Sequence, residues 1–141
     1  MAHPTPLSDR IHAVAMAIAA ALTAAYWVEW FTKGRVQSAD DPEYVTFEES
    51  FPLADGYMAV LYVAAAKALW EQRSTAVPLG IAAGSANVFL ALMDLLFDLR
   101  RGNLRETTPE MQVEKAIIGA SLVFGPLTMI RLWRGRSRLG G

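Results

Sequence analysis

Four long stretches almost free of charge constrain this chain more than any other feature. Ile11 to Phe31 carries one charged residue, Glu29. Phe51 to Trp70 carries Asp55 near one end and Lys67 near the other, Val77 to Phe97 carries Asp94 alone, and Ala116 to Ile130 carries none. A helix rises about 1.5 Å per residue, so about twenty residues reach about 30 Å, the thickness of a bilayer's hydrocarbon core. One such stretch would suit a buried core helix. Four of them in 141 residues, with charged types at only 19% where roughly 25% is usual, leave too little polar surface to cover a soluble globule. The expectation is an all-α fold: a four-helix transmembrane bundle running up-down-up-down, a single integral membrane domain over residues 1–141, with spans at about 11–31, 51–70, 77–98 and 116–133.

Local signals agree with that division. Trp27, Trp30 and Phe31 close the first segment, Trp70 the second and Trp133 the fourth, where the bilayer interface favours aromatic rings. Pro52 and Pro78 sit at segment starts, where a missing N–H costs nothing. Gly125-Pro126 falls inside the fourth segment and predicts a kink there. The first segment imitates a secretory signal through Arg10 and the run from Ala13 to Ala25. Its apolar stretch continues to Phe31, so it reads as a helix that stays in the chain.

Four spans would place both termini on one side. That side carries seven basic residues, Arg10, Lys67, Arg73, Arg131, Arg134, Arg136 and Arg138, against Asp9 and Glu71. The other side carries six basic and twelve acidic residues, which brings the net charge to −1. The positive-inside rule counts Lys and Arg, and the basic tail from Arg131 to Arg138 favours an inner-membrane protein with both termini in the cytoplasm. The longest connection, Thr32 to Ser50, is expected to be a long acidic loop with Asp40, Asp41 and Glu43 in solvent. Thr107-Thr108-Pro109-Glu110 has the pattern of a short helix start, and Glu114 stands one turn beyond Glu110.

The carboxylates at span ends carry the functional signal. Glu29 closes the first segment, Glu49 and Asp55 open the second, and Asp94 and Asp98 end the third. In an up-down bundle these positions share one end of the molecule. On the third segment Gly80, Gly84, Asn87, Ala91, Asp94 and Asp98 recur at alternating steps of four and three, a continuous small-and-polar stripe. Small and polar residues prefer the bundle interior. Tyr62 continues that character on the second segment, and Ser121, Gly125 and Thr128 do so on the fourth. The implied interior is a narrow polar path lined by Asn87, Tyr62, Ser121 and Thr128, with Trp27 and Trp30 near its acidic mouth. Asp98 beside Arg100 and Arg101, Asp55 in a first helical turn, Glu29 among interfacial tryptophans and Glu49 ahead of its helix all have plain structural explanations. Asp94 lies one turn deeper than Asp98, about 6 Å further in, where an unpaired carboxylate is costly. Such a cluster can hold a hard cation, share protons or clamp an amine.

Other chemistries drop out. The chain has no cysteine, which removes disulfides, thiolate metal sites and cysteine nucleophiles. His3 and His12 stand at the opposite end from the acids, and no Glu-x-x-His motif occurs. There is no P-loop, dinucleotide fingerprint or Gly-x-Ser-x-Gly, and the charge balance offers nothing to nucleic acid.

The segments Phe47-Glu48-Glu49-Ser50-Phe51-Pro52-Leu53-Ala54-Asp55-Gly56 and Leu92-Met93-Asp94-Leu95-Leu96-Phe97-Asp98-Leu99-Arg100-Arg101-Gly102 resemble small four-span bacterial membrane proteins of no assigned activity. That resemblance implies the fold, points to Glu49, Asp55, Asp94 and Asp98, and brings no chemistry. At the level of architecture alone, the chain is similar to the sterol-isomerase and sigma-2-receptor-like four-helix membrane proteins, which line an intramembrane pocket with acidic and aromatic residues. The leading expectation is therefore a bilayer-embedded protein that binds a cation, a proton or an amine-bearing amphiphile at an acidic pocket near one face. The rivals are an accessory subunit of a larger membrane complex or a homo-oligomer, and a lipid- or sterol-pocket isomerase-like enzyme using Asp94 or Asp55 as acid or base.

Overall fold

The structure is a computed structural model that describes residues 5–139, so His3 lies outside the described residues. It is all-helical, with no strand among those residues. Four long helices, α1 (Leu7–Thr32), α3 (Pro52–Trp70), α4 (Ala76–Arg101) and α5 (Pro109–Gly135), are joined by a short α2 (Pro42–Glu48) and brief 3-10 turns. Three of them, α1, α4 and α5, are long and apolar enough to cross a membrane. α3 has 19 residues, and Asp55, Tyr57, Tyr62 and Lys67 dilute its apolar character.

The connection between α1 and α3 differs from the solvated loop expected. Asp41 accepts a hydrogen bond from the Tyr44 N–H at 3.0 Å and Pro42 fills the first helical position. Together they nucleate α2. The helix is then pinned over the end of α4. The Phe47 and Phe97 rings stack with centroids 3.9 Å apart, and Arg101 reaches Asp41 at 2.6 Å and Glu43 at 2.8 Å. The Thr-Thr-Pro-Glu start also plays a larger part than a short helix. Thr108 accepts from the Met111 N–H at 3.3 Å, and Pro109 opens α5 itself, which continues unbroken through Pro126. α5 thus begins well before residue 116 and carries Glu114 into the packed region. α4 stops at Gly102, whose φ of 75° places it in the left-handed conformation that glycine adopts without strain.

α1 packs on α3, α3 on α4 and α4 on α5. Trp27 near the end of α1 meets Asp55 at the start of α3, and Thr5, just before α1, donates to the Trp70 carbonyl at the end of α3 at 2.9 Å. α4 and α5 cross at a pair of glycines. A Cβ on Gly84 would stand 2.6 Å from the Gly125 carbonyl oxygen, and one on Gly125 would stand 2.7 Å from the Gly84 oxygen. Small residues are needed where backbones approach this closely. α1 and α5 do not pack along their length. They meet at one end, where the His12 Nε2 and Thr128 hydroxyl are 3.1 Å apart and the His12 and Phe124 rings lie 5.5 Å apart. At the same end the buried Asp9 accepts from Arg131 at 3.0 Å and from Arg138 and Gln72 at 3.3 Å.

The distribution of side chains is inverted relative to a soluble bundle. The buried core is built largely from alanines such as Ala13, Ala65, Ala68 and Ala83 with Met16, Tyr62 and Leu69. Large apolar residues point outward on every long helix, among them Leu22, Val60, Phe89, Leu96, Val123 and Leu127.

Candidate functional site

Where α1 and α5 are not packed on each other, the bundle holds a partly open cavity of about 450 Å³, with walls from all four long helices and Glu48 of α2. Most of the wall is apolar: Ile18, Leu22, Met58, Leu90, Ile118 and Phe124 contribute to it. Four carboxyl groups, Glu48, Asp55, Asp94 and Glu114, line it together.

Each acid is held differently. Asp55, in the first turn of α3, accepts a hydrogen bond from the Trp27 indole N–H at 2.8 Å. Asp94 is half-buried, and its Oδ1 is buried with no partner. Glu114 accepts from the Ser38 hydroxyl and from the Tyr44 hydroxyl at 3.2 Å through Oε2, while its buried Oε1 has none. Glu48 ends α2 at 6% exposure, and no side chain among the described residues hydrogen-bonds to it. Burial first, then the negative charges of Asp94, Glu114, Asp98 and Asp55, pushes its carboxyl up to about 9. Aromatic rings stand beside the acids. Tyr26, Trp27 and Phe51 line the cavity, with Tyr26 edge-on to Trp27 at 5.2 Å.

Of the residues expected from sequence, Asp55, Asp94, Asn87, Tyr62, Trp27 and Ser121 line this cavity. Asn87 donates to the Tyr62 hydroxyl at 2.9 Å, which joins α3 and α4 away from the acidic end. The others fall elsewhere. Asp98 is wholly buried just behind the lining, accepting from the Asn103 side chain at 3.0 Å, with its Oδ2 unpartnered and its carboxyl beside Glu114. Glu29 is turned outward, bound to Arg35 with Lys33 4.0 Å away. Glu49 is exposed, because it follows the last turn of α2 and points away from the bundle. Trp30 is buried against Tyr44 at 6.0 Å, and Thr128 is occupied by His12 beyond the end of the cavity.

Glu48 and Glu114 take the places expected of Glu49 and Glu29. For Glu114 a signal existed. The stripe Thr128, Gly125, Ser121, continued by the same steps, passes through Ile118 and Glu114. For Glu48 the signal was the Asp41-Pro42 helix start, which sets Tyr44 and Glu48 on one face.

No three acidic or histidine side chains among the described residues converge closely enough to hold a metal ion. What the arrangement offers is an apolar chamber with acids and aromatic rings at one end, suited to a soft organic cation or to a proton. The chain matches no protein-family model, no curated protein and no solved structure.

Proposed function

We propose that this is an integral membrane protein of the inner membrane whose four long helices span the bilayer up-down-up-down, and that it binds a cationic, amine-bearing ligand in its carboxylate-lined cavity. α3, sandwiched between α1 and α4, spans with them. Large apolar side chains facing outward on all four helices support a lipid environment, since a soluble protein rarely exposes such continuous apolar surface. The observation that carries the ligand reading is the nearly buried Glu114 in the cavity wall, whose Oε1, like Oδ1 of Asp94 beside it, is buried without a partner, with the nearly buried Glu48 in the same wall. Buried carboxyl groups without partners are costly, and a protonated amine would supply both charge and donors. Neighbouring Tyr26 and Trp27 add favourable contact with a cation. Among the described residues no set of side chains is arranged to hold a metal ion, so an organic cation is the better-supported occupant.

The test is thermal unfolding of the protein in phosphatidylcholine nanodiscs with and without dodecyltrimethylammonium. The wild type is expected to gain a few degrees. Asp94→Asn is expected to fold with a similar Tm and lose the gain. A variant that is merely less stable yet keeps the full response would overturn the site.

A second reading has a specific observation in its favour. An apolar cavity of about 450 Å³ bordering buried acids also fits a lipid-pocket isomerase, with Asp94 or Asp55 moving a proton on and off a bound olefin. Recovery of deuterium in a sterol or unsaturated lipid incubated with the protein in deuterated buffer would favour it over simple binding.

A further inference from the structure

From the divergence of α1 and α5 we infer that the ligand is a single-chain lipid amine that enters sideways from the bilayer between these two helices. The inference rests on the binding reading above and adds the ligand's class and route. α1 and α5 are not packed along their length, and His12–Thr128 and Asp9–Arg131 join them at one end. Beyond it, Ile18, Leu22 and Ile117 are 52%, 65% and 42% exposed while also lining the cavity. The same side chains therefore face both the outside and the chamber, which makes the gap between them a mouth in the lipid-facing wall.

The other approaches are covered. At the acidic end α2 forms a roof, fixed by the Phe47–Phe97 stack, by Arg101 on Asp41 and Glu43, and by Ser38 and Tyr44 on Glu114. At the far end Phe124 closes against His12 and Tyr62, with ring centroids at 5.5 and 5.6 Å. From Glu114 to Phe124 the wall runs about 15 Å along α5 at about 1.5 Å per residue. A ligand that fills this space has a head at Glu48, Asp94 and Glu114 and one extended apolar tail reaching toward Phe124. The volume is that of one drug-sized molecule, within roughly 300–1,000 Å³, which suits a single-chain amphiphile. The head is a protonated amine because the groups that face it are carboxyls and aromatic faces. Among the described residues no Lys or Arg lines the cavity.

The experiment uses the full chain in phosphatidylcholine nanodiscs with three probes: dodecylamine, 1-dodecanol and butylamine. Dodecylamine is expected to raise Tm, and the alcohol and the short amine are not. The cysteine-free sequence then permits Leu22→Cys/Ile117→Cys, which a bis-maleimide can bridge across the mouth. The bridged form is expected to bind dodecylamine at least about tenfold more weakly than the same double variant before bridging. Ala120→Trp, which fills the mouth with an indole, is expected to do the same without a cross-link. Undiminished dodecylamine binding by both the bridged and Ala120→Trp proteins would overturn the lateral route and leave the binding site standing. An equal response to 1-dodecanol would overturn the amine class, and one to butylamine the need for a chain. Silence toward dodecylamine together with dodecyltrimethylammonium would instead remove the underlying site.

Discussion

Glu48 holds its proton at neutral pH because it is buried among acids from α3, α4 and α5, with Tyr26 and Tyr44 as further ionisable neighbours. Its ordinary value of 4.5 rises to about 9. The folded chain thus binds more protons than the unfolded chain across that window. The stability tied to Glu48 is complete below 4.5 and is lost as pH rises through about 9. Glu48→Gln removes the titrating group while keeping the shape. Thermal unfolding between about pH 6 and about pH 9 is therefore expected to show a falling Tm in the wild type and a flatter profile in the variant. Parallel profiles would mean that Glu48 reaches water. Asp55 and Asp94 were readable as inward-facing from the spacing of small and polar residues along their own helices, and Glu114 lies on the same kind of stripe. Glu48 was not, because its burial depends on Phe47 finding Phe97, a contact between residues fifty positions apart in sequence.

The helices themselves were legible where an apolar run sets a length and a proline or glycine sets an end. They were less so where charged turns extend a helix beyond its apolar part. Pro109 to Lys115 continues α5 because Thr108 caps it and the backbone has no reason to stop, yet hydropathy alone ends the segment at the first charges. The Gly80 and Gly84 pair was readable as a contact surface, and the structure gives it a partner inside the chain, α5. Gly119 looks equivalent in sequence but faces open space. The difference is testable. Gly84→Ala drives a methyl against the Gly125 backbone and is expected to cost about 1–3 kcal/mol, whereas Gly119→Ala meets nothing and is expected to gain up to about 1 kcal/mol from helix propensity. Reversible unfolding in one detergent checks both, and equal costs at the two positions would contradict the crossing.

The bundle has two unlike ends. At one, Asp9 gathers Arg131, Arg138 and Gln72 and ties α1 to the C-terminal turn. At the other, acids from α2 to α5 surround a chamber left open because α1 and α5 part company. In the orientation expected from the basic C-terminal tail, with both termini in the cytoplasm, the chamber's acidic end faces the periplasm. Thr107→Cys is then expected to react with an impermeant maleimide added to intact cells, and Ser137→Cys only after lysis. The reverse pattern would invert the molecule without altering the site. That acids distant in sequence would share one end followed from the alternation of long apolar segments along the chain. That the fourth wall would stand open did not, since nothing in hydropathy reports how far two non-consecutive helices splay. The most direct probe of the chamber is the nuclear Overhauser effect from the N-methyl protons of bound dodecyltrimethylammonium to protein ring protons. Cross-peaks to Tyr26 and Trp27 that vanish in Asp94→Asn are expected. Cross-peaks confined to the outward-facing Trp70 and Trp133 would contradict a cation site inside the bundle.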